Sequence, residues 1–233
     1  MESLAGRVLN ALRGREDSPG LAVHVQEAMD AKAALAAVRV LGPDLFAPAL
    51  SASVPVAPGD REVVAEALRV FPPEPDDPPE AACLGRATIT LLSQCGHEPV
   101  VTLDSAAGAA PGGAPPAAEH PHWRPWAQRM AQLSPLALPG VRGPVSEQAI
   151  RRVLALNRGL ARSMLRRDYP TAARLARWVA LADSRGAVLP GTDIETVVEH
   201  LELCGAVGAR TVLDTAIARR LIAGRHEQKG RAS

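Results

Sequence analysis

Two amphipathic segments joined by a glycine-bearing turn occupy the C-terminal part of this 233-residue chain. Apolar side chains recur at helical spacing in residues 192–204 and again in residues 209–224. Gly205 and Gly208 bracket the turn, where glycine permits the positive φ and close backbone approach that packed elements require. Each segment has to bury its apolar stripe against another helix. The sequence therefore predicts a mainly helical C-terminal region.

Further helical patterns precede this pair. Ser146, followed by Glu147, is predicted to be the N-cap of a long amphipathic helix. The Ala, Gly and Pro content of residues 105–122 is typical of a flexible loop or linker. We therefore place a helical C-terminal subdomain over residues 123–224, followed by a tail over residues 225–233. Its other predicted helices cover residues 123–133, 146–167 and 170–183.

The first 104 residues mix helix and strand signals. Alanine-rich or amphipathic patterns predict helices at residues 4–13, 29–41 and 60–70. β-branched runs predict strands at residues 21–25, 87–92 and 99–103. The proline-rich residues 71–79 are predicted to form an extended connection. Because a strand followed by a helix is a common α/β unit, we predict an α+β fold with an α/β N-terminal subdomain over residues 1–104.

Composition narrows the class of protein. The chain is 47% hydrophobic and 22% charged, which is enough apolar residue content to bury a core. Pro, Gly or charged residues interrupt every apolar run of membrane-spanning length, and no signal peptide is evident. Three cysteines, an odd number, give no disulfide framework. These features predict a cytoplasmic protein without a membrane span.

The order of elements in the C-terminal half resembles the GHMP kinase superfamily, and within it the L-threonine kinases of cobalamin metabolism. Those proteins run through a Leu-Pro turn, a helix, Gly-Ala-x-Gly and a short apolar helix. Here the same order is found in Leu189-Pro190, a helix from Asp193, residues 205–208 and a helix that ends at residues 221–224. Where the family carries Ala-His-Ser-Gly-Thr, residues 212–216 read VLDTA. The resemblance implies a GHMP-kinase-like α+β fold with an incomplete N-terminal strand region. It also implies ATP-dependent phosphorylation of a threonine-like hydroxyl, with ATP and Mg²⁺ as cofactors.

The family's phosphate-binding loop corresponds to residues 25–34, which lack its glycines and serines. Met29 matches the threonine-kinase version, and Lys32 places a cation near the start of a helix. Glu27 and Asp30 place two carboxylates where a polyphosphate would lie, and like charges repel. The resemblance therefore implies an impaired or inactive kinase homologue, with Met29 and Lys32 as its candidate cofactor-binding residues.

Two carboxylates are the candidate catalytic residues. Asp60 ends a segment, Ala-Pro-Gly-Asp, that resembles Glu-Pro-Ser-Asp of the threonine kinases, and Asp104 follows the predicted strand at residues 99–103. Each has a structural alternative, because aspartate is a favourable helix N-cap and often follows a strand in a loop.

Sulfur and imidazole side chains are concentrated between residues 83 and 122, and these are ligands that zinc prefers. They are Cys83, Cys95, His97, His120 and His122. Their spacing lacks the two closely spaced ligand pairs of structural zinc sites, so no metal site is predicted. Cys95 and His97 are also too close in sequence to have the geometry of a nucleophile and its base.

Arginines dominate the charged residues of 151–177, which is a feature of some nucleic-acid-binding helices. The net charge of the whole chain is only +1, and polar residues are expected between the apolar positions of any amphipathic helix. Nucleic acid is therefore not predicted as a partner, whereas a small-molecule ligand or a protein partner is. The alternative to a kinase homologue is a non-catalytic helical interaction or regulatory protein, a class that includes nucleic-acid binders.

Overall fold

The computed structural model describes residues 1–52, 55–94, 101–103, 122–189, 191–204 and 208–231. Within these ranges two short 3₁₀ helices, Gly42–Phe46 and Ser134–Leu136, accompany strands β1 (Val101–Thr102) and β2 (Val141–Arg142). The α-helices of the described ranges are α1 (Glu2–Leu12), α2 (Leu21–Gln26), α3 (Ala31–Leu41), α4 (Ala47–Ala52), α5 (Pro58–Val70), α6 (Pro79–Gln94), α7 (Trp123–Gln132), α8 (Pro144–Arg151), α9 (Val153–Leu165), α10 (Tyr169–Ser184), α11 (Ile194–Cys204) and α12 (Ala209–Arg231).

Helix α10 is the centre of the molecule. Its start is fixed by the Asp168 carboxylate, which accepts a hydrogen bond from the Thr171 amide at 3.2 Å, and Pro170 lies in its first turn. Nearly every side chain after this turn is buried, including Trp178, whose indole nitrogen donates to the Met130 carbonyl at 2.7 Å. Helices α7, α8, α9, α11 and α12 pack around α10, so its apolar side chains form the middle of the core.

The N-terminal helices form the other side of the core. Helix α1 packs along α12, and the Leu12 carbonyl at its end accepts a hydrogen bond from Arg220 in the middle of α12. Helices α2 and α3 pack against α5. The 3₁₀ helix Gly42–Phe46 carries the chain through the interior, and all five of its residues are buried. This helix places Asp44 deep in the core, opposite α10 and α12.

The predicted α+β, GHMP-kinase-like fold is wrong. In the described residues helices form almost all the regular structure, and the two strands have two residues each. Residues 21–25 and 87–92, both predicted to be strands, lie in α2 and α6. Of the predicted strand at residues 99–103, only β1 is a strand within the described part. The described part of the N-terminal half therefore contains no sheet of the kind that the resemblance implied.

Helix α6 shows why β-branched residues misled the prediction. The hydroxyls of Thr88 and Thr90 donate to the carbonyls of Leu84 and Arg86, each four residues earlier, at 2.7 and 3.2 Å. Their hydroxyls are thereby satisfied inside the helix. Residues at helical spacing on the same helix are buried, and their packing outweighs the weak local preference for a strand. These buried residues are Cys83, Ala87 and Leu91.

The two short strands pair in parallel, Val101 with Val141 and Thr102 with Arg142. The Leu103 amide extends the pairing by donating to the Arg142 carbonyl at 2.8 Å. Gly143 follows directly, and a Cβ atom at this position would lie 3.0 Å from the Leu103 carbonyl oxygen. A side chain at residue 143 would therefore collide with the paired strand, which explains the glycine between β2 and α8.

Most predicted helices are confirmed, with shifted ends. The predicted helix at residues 146–167 divides into α8 and α9, because the regular helix breaks at Arg152. The predicted N-cap role of Ser146 is wrong, since α8 already begins at Pro144 after Gly143. The predicted tail continues α12 as far as Arg231.

The turn that precedes α12 has an unexpected partner at the start of the chain. The Glu2 carboxylate accepts a hydrogen bond from the Ala209 amide at 2.5 Å. A Cβ atom at Gly208 would lie 3.0 Å from the same carboxylate oxygen, so the glycine makes room for Glu2. An acidic group at a helix N-terminus is favourable, and here it fastens α1 to α12. Gly205 lies outside the described residues.

Residues Ala31–Ala52, from α3 to α4, form a helical stretch that is long and apolar enough to cross a membrane by length and composition alone. The predicted absence of a membrane span stays a prediction, since Gly42, Pro43 and Asp44 interrupt this stretch. Of its most apolar window, 61% is buried inside the protein, as in a core helix. Asp44 lies within this stretch and pairs with Arg177 of α10.

Candidate functional site

A cleft lies where the C-terminal end of α10 meets β2, the start of α8 and the middle of α12. Its volume is about 810 Å³, within the range of small-molecule sites. Leu181 and Leu221 are buried and Ile150 is half-buried at its apolar wall. Three arginines from different parts of the fold are also in the lining, and we call this site the arginine cleft. They are Arg142, Arg185 and Arg220.

Arg185 is the most firmly held of the three arginines. Its guanidinium donates one hydrogen bond to the Val141 carbonyl and another, at 3.1 Å, to the Ser146 hydroxyl. The same hydroxyl donates to the Gly143 carbonyl at 2.9 Å and accepts from the Gly143 amide at 3.1 Å. The turn between β2 and α8 therefore fixes the orientation of Arg185. Both acceptors are neutral, so its positive charge is not compensated by them.

The other charges of the arginine cleft leave it positive. Arg220 donates to a neutral acceptor, the Leu12 carbonyl, at 2.7 Å. Glu147, the one acidic residue in the lining, lies 3.5 Å from Arg151. Burial lowers the pKa of Arg185, the nearby charge of Arg142 lowers it further, and Glu147 opposes both effects. Burial and the charge of Arg142 both disfavour the charged guanidinium, and an anion bound beside it would oppose these effects.

A second cleft, of about 720 Å³, lies between the end of α10, the start of α11 and α12. Its acidic residues already have partners. Asp183 accepts from Arg225 and Glu195 from His226, at 2.5 and 2.6 Å. Asp193 accepts from the Thr196 hydroxyl at 2.6 Å. Its charges are therefore satisfied internally, in contrast to those of the arginine cleft.

Asp60, a candidate catalytic residue, is buried in the first turn of α5. Its Oδ1 atom accepts a hydrogen bond of 2.6 Å from the Leu21 amide at the start of α2. The predicted capping alternative is therefore partly correct, although the carboxylate caps a neighbouring helix. This hydrogen bond joins α5 to α2 and gives Asp60 a structural role. Asp60 is not part of the lining of the arginine cleft. A catalytic role for Asp60 stays a prediction.

The candidate cofactor-binding residues do not form a phosphate site. Met29 is fully exposed, and Lys32 is exposed in the first turn of α3. The Asp30 carboxylate occupies the N-terminus of α3, where it accepts from the Ala33 amide at 3.0 Å. A phosphate at this end would meet a carboxylate in place of free amides. The residues present do not fit the phosphates of ATP, and we assign no step to ATP or Mg²⁺ here.

Several predicted residues cannot be placed. Asp104 lies outside the described residues, as do Cys95, His97 and His120. Cys83 is buried in α6, and burial raises the pKa of its thiol, with Arg86 opposing that shift. Among the side chains that the structure describes, no group of three or more His, Cys, Asp and Glu residues is arranged to hold a metal ion.

The sequence reasoning missed a set of charged residues inside the core. The Arg177 guanidinium, fully buried on α10, donates to Asp44 at 2.7 Å and to Asp214 of α12 at 2.6 Å. Arg210 of α12 approaches the second oxygen of Asp44 at 2.5 Å and that of Asp214 at 3.6 Å. We call these four residues the buried ion-pair network. It joins the 3₁₀ helix, α10 and α12.

Within this network two arginines face two aspartates, and Arg174 of α10 adds a third positive charge 3.9 Å from Asp214. Burial raises the pKa of Asp44, but Arg177 and Arg210 outweigh it, so the pKa lies below its ordinary value. Burial lowers the pKa of Arg177, and the two carboxylates more than reverse this effect. Asp214 lies in the segment that replaces the kinase-family polar motif. Asp214 was the sequence signal that could have revealed this network, because it is a charged residue within an otherwise apolar helical stripe.

Comparison with protein-family models, curated proteins and solved structures finds no match for this chain. The candidate function therefore depends on the geometry and charge of the described residues.

Proposed function

We propose that this protein is a binding protein for a small anionic molecule, which the arginine cleft holds through carboxylate or phosphate groups. The observation that carries the proposal is Arg185, a half-buried guanidinium fixed by two neutral acceptors at the wall of the cleft. Guanidinium groups present several N–H donors in a plane and match carboxylate and phosphate oxygens in bidentate geometry. Pre-ordered donors of this kind lose little conformational entropy when a ligand binds.

The shape of the arginine cleft supports a ligand with both apolar and anionic parts. Leu181, Leu221 and Ile150 offer an apolar wall, whereas the arginines converge from different elements. A few polar groups on an apolar surface are typical of ligand sites, since the apolar wall gives affinity and the polar groups give orientation. We infer binding without chemistry, as in the predicted helical interaction or regulatory protein.

The kinase reaction, its cofactors and the cytoplasmic location stay predictions. The fold that the kinase resemblance implied is wrong, and the phosphate-loop positions do not fit a nucleotide. Mg-ATP therefore serves as a probe in the same experiment as simpler anions. Binding of Mg-ATP that depends on Lys32 would support the kinase prediction, whereas binding that depends on Arg142 would support the arginine cleft.

Thermal unfolding in the presence of anions tests the proposal. Pyrophosphate and citrate are compared with sodium chloride at equal ionic strength, so that general screening is the same in all samples. A ligand at about 100 times its Kd stabilises the folded state by about 2.7 kcal/mol. For a chain of this size that corresponds to a rise in Tm of roughly 5–10 °C. Equal Tm values in chloride, citrate and pyrophosphate would contradict the proposal.

A further inference from the structure

Among the described residues that line the arginine cleft, Glu147 is the one with an acidic side chain. It follows Ser146 in the first turn of α8, and the Ser146 hydroxyl accepts a hydrogen bond from Arg185 at 3.1 Å. The chain therefore places Glu147 beside the same guanidinium. Burial and Arg142 lower the pKa of Arg185, and the negative charge of Glu147 opposes both effects. Charges of both signs thus lie next to each other in the wall of the cleft.

Glu147 keeps free capacity for a ligand. Within the described part of the chain no ion pair joins it to Arg185, and its partner is Arg151, 3.5 Å away and one turn along α8. Both side chains of this pair are more than half exposed, and exposed pairs of this kind contribute little to stability. A carboxylate has two oxygens, which together offer about four acceptor positions. Glu147 can therefore accept a hydrogen bond from a bound molecule while it stays near Arg151.

The arginines beside Glu147 keep free donors as well. A guanidinium has five N–H groups, and the hydrogen bonds from Arg185 to the Val141 carbonyl and the Ser146 hydroxyl leave the others unused. Arg142 is exposed in the same lining, and its side chain forms no ion pair or hydrogen bond with the described residues. A carboxylate bound by these arginines would therefore lie close to Glu147.

Apolar side chains stand at helical spacing from the two opposite charges. Ile150 follows Glu147 by three residues on α8, and Leu181 precedes Arg185 by four residues on α10. Residues at this spacing share one side of a helix, so each helix contributes one charged and one apolar residue to the lining. A Cβ atom at Gly224 on α12 would meet no atom of the described residues within 4 Å. The missing side chain leaves open space in the cleft beside this apolar wall.

We propose that the ligand of the arginine cleft is an apolar α-amino acid, bound as its zwitterion. Such a molecule carries a carboxylate and an ammonium group on one carbon atom, so it needs a cation and an anion side by side in the protein. Arg185 donates to the carboxylate, Glu147 accepts from the ammonium group, and the apolar side chain contacts Leu181 and Ile150. Because this ligand occupies the proposed anion site, its assignment rests on the function proposed above.

Glu147 is the residue that selects this ligand class over simpler anions. A phosphate, or a carboxylate without an ammonium group, places negative charge near the Glu147 carboxylate, and like charges repel. An ammonium group replaces this repulsion by a charge-assisted hydrogen bond. Neutralising Glu147 should therefore change the affinities for a zwitterion and for a simple anion in opposite directions.

Isothermal titration calorimetry at pH 7 with L-leucine and 4-methylpentanoate tests this proposal. The two molecules have the same carbon skeleton and carboxylate and differ only in the ammonium group. The unmodified protein is expected to bind L-leucine at least about 10-fold more tightly, because one charge-assisted hydrogen bond distinguishes the two ligands. In Glu147→Gln the affinity for L-leucine should fall by about 10-fold, whereas that for 4-methylpentanoate should stay equal or rise. A folding defect would lower both affinities together, so the two causes are distinguishable.

The matched control is Glu66→Gln, which removes a glutamate that pairs with Arg69 on α5, outside the lining of the cleft. Both affinities are expected to be unchanged in this variant. Equal binding of L-leucine and 4-methylpentanoate by the unmodified protein would overturn the proposal, and so would an equal loss for both ligands in Glu147→Gln. If pyrophosphate binds and L-leucine does not, the anion site stands and the amino-acid proposal fails. If none of these molecules binds, the proposed function fails as well.

Discussion

Replacing Arg177 by methionine should strongly destabilise the protein. The methionine side chain is similar in length, so the main change is the loss of a positive charge that is fully buried between Asp44 and Asp214. The variant leaves two buried carboxylates with only Arg210 close to both, at 2.5 and 3.6 Å. An uncompensated buried charge is among the most destabilising features that a folded protein can contain.

The size of the effect follows from the contacts that are lost. Arg177 makes two charge-assisted hydrogen bonds, at 2.6 and 2.7 Å, and each contributes about 1.5–3 kcal/mol. Removing one partner from a buried ion pair typically costs about 3–5 kcal/mol. Because Arg210 retains part of the attraction, we expect a loss of about 3–5 kcal/mol in the free energy of unfolding.

Urea unfolding followed by circular dichroism measures this loss. With an m value of about 3 kcal/mol/M, the midpoint should fall by about 1–1.7 M. The control Arg69→Met removes an exposed arginine, which pairs with Glu66 on the surface of α5, and should leave the midpoint unchanged. The combined variant Arg177→Met, Asp44→Leu, Asp214→Leu should recover much of the loss, since it removes the stranded charges. A loss below about 1 kcal/mol for Arg177→Met would refute this reasoning.

Three further predictions concern single positions. Arg167→Gly should raise the free energy of unfolding by about 0.5–1 kcal/mol. Glycine adopts the left-handed conformation at this position without the steric cost that arginine has, and this gain exceeds the loss from the greater entropy of glycine in the unfolded chain. An unchanged or lower Tm would contradict this prediction. Gly159→Ala should destabilise by about 1–3 kcal/mol, since its Cβ would lie 2.8 Å from that of Ala127; an unchanged urea midpoint would count against the packing. Because the folded-state pKa of Asp44 lies below 3.8, its stabilising effect is present above that pH and lost as pH falls through the folded value. The urea midpoints of Asp44→Asn and the unmodified protein should therefore differ at pH 7 and begin to converge only below pH 3.8, as pH falls towards the folded-state pKa of Asp44; a constant difference would exclude this linkage.

Helices were the part of the fold that sequence predicted well. Helical spacing located α1, α3, α5, α7 and the helices from α10 onward, because each buries one side against the core. The predicted strands failed for a related reason. In α6 the buried residues Cys83, Ala87 and Leu91 recur every four positions, and this pattern competed with the β-branched residues between them. Packing, which local composition does not report, decided between the two.

The charged sites could not be predicted because their members are distant in sequence. Asp44 and Arg177 are 133 residues apart, and only the packing of the 3₁₀ helix against α10 brings them together. The arginine cleft likewise depends on β2 and α12 meeting at the end of α10. The sequence did indicate an arginine-rich region over residues 151–177. It could not separate Arg177, which is buried in an ion pair, from Arg162 and Arg166, which are exposed.

Isothermal titration calorimetry with pyrophosphate at low ionic strength is the most direct test of anion binding by the arginine cleft. The unmodified protein is compared with the double variant Arg142→Gln, Arg220→Gln, which leaves Arg185 and its hydrogen bonds intact. Each lost charge-assisted contact is expected to weaken binding by at least about 10-fold, so the double variant should bind roughly 100-fold more weakly. Equal affinity of the two proteins for pyrophosphate, or no heat of binding for either, would contradict the proposed site.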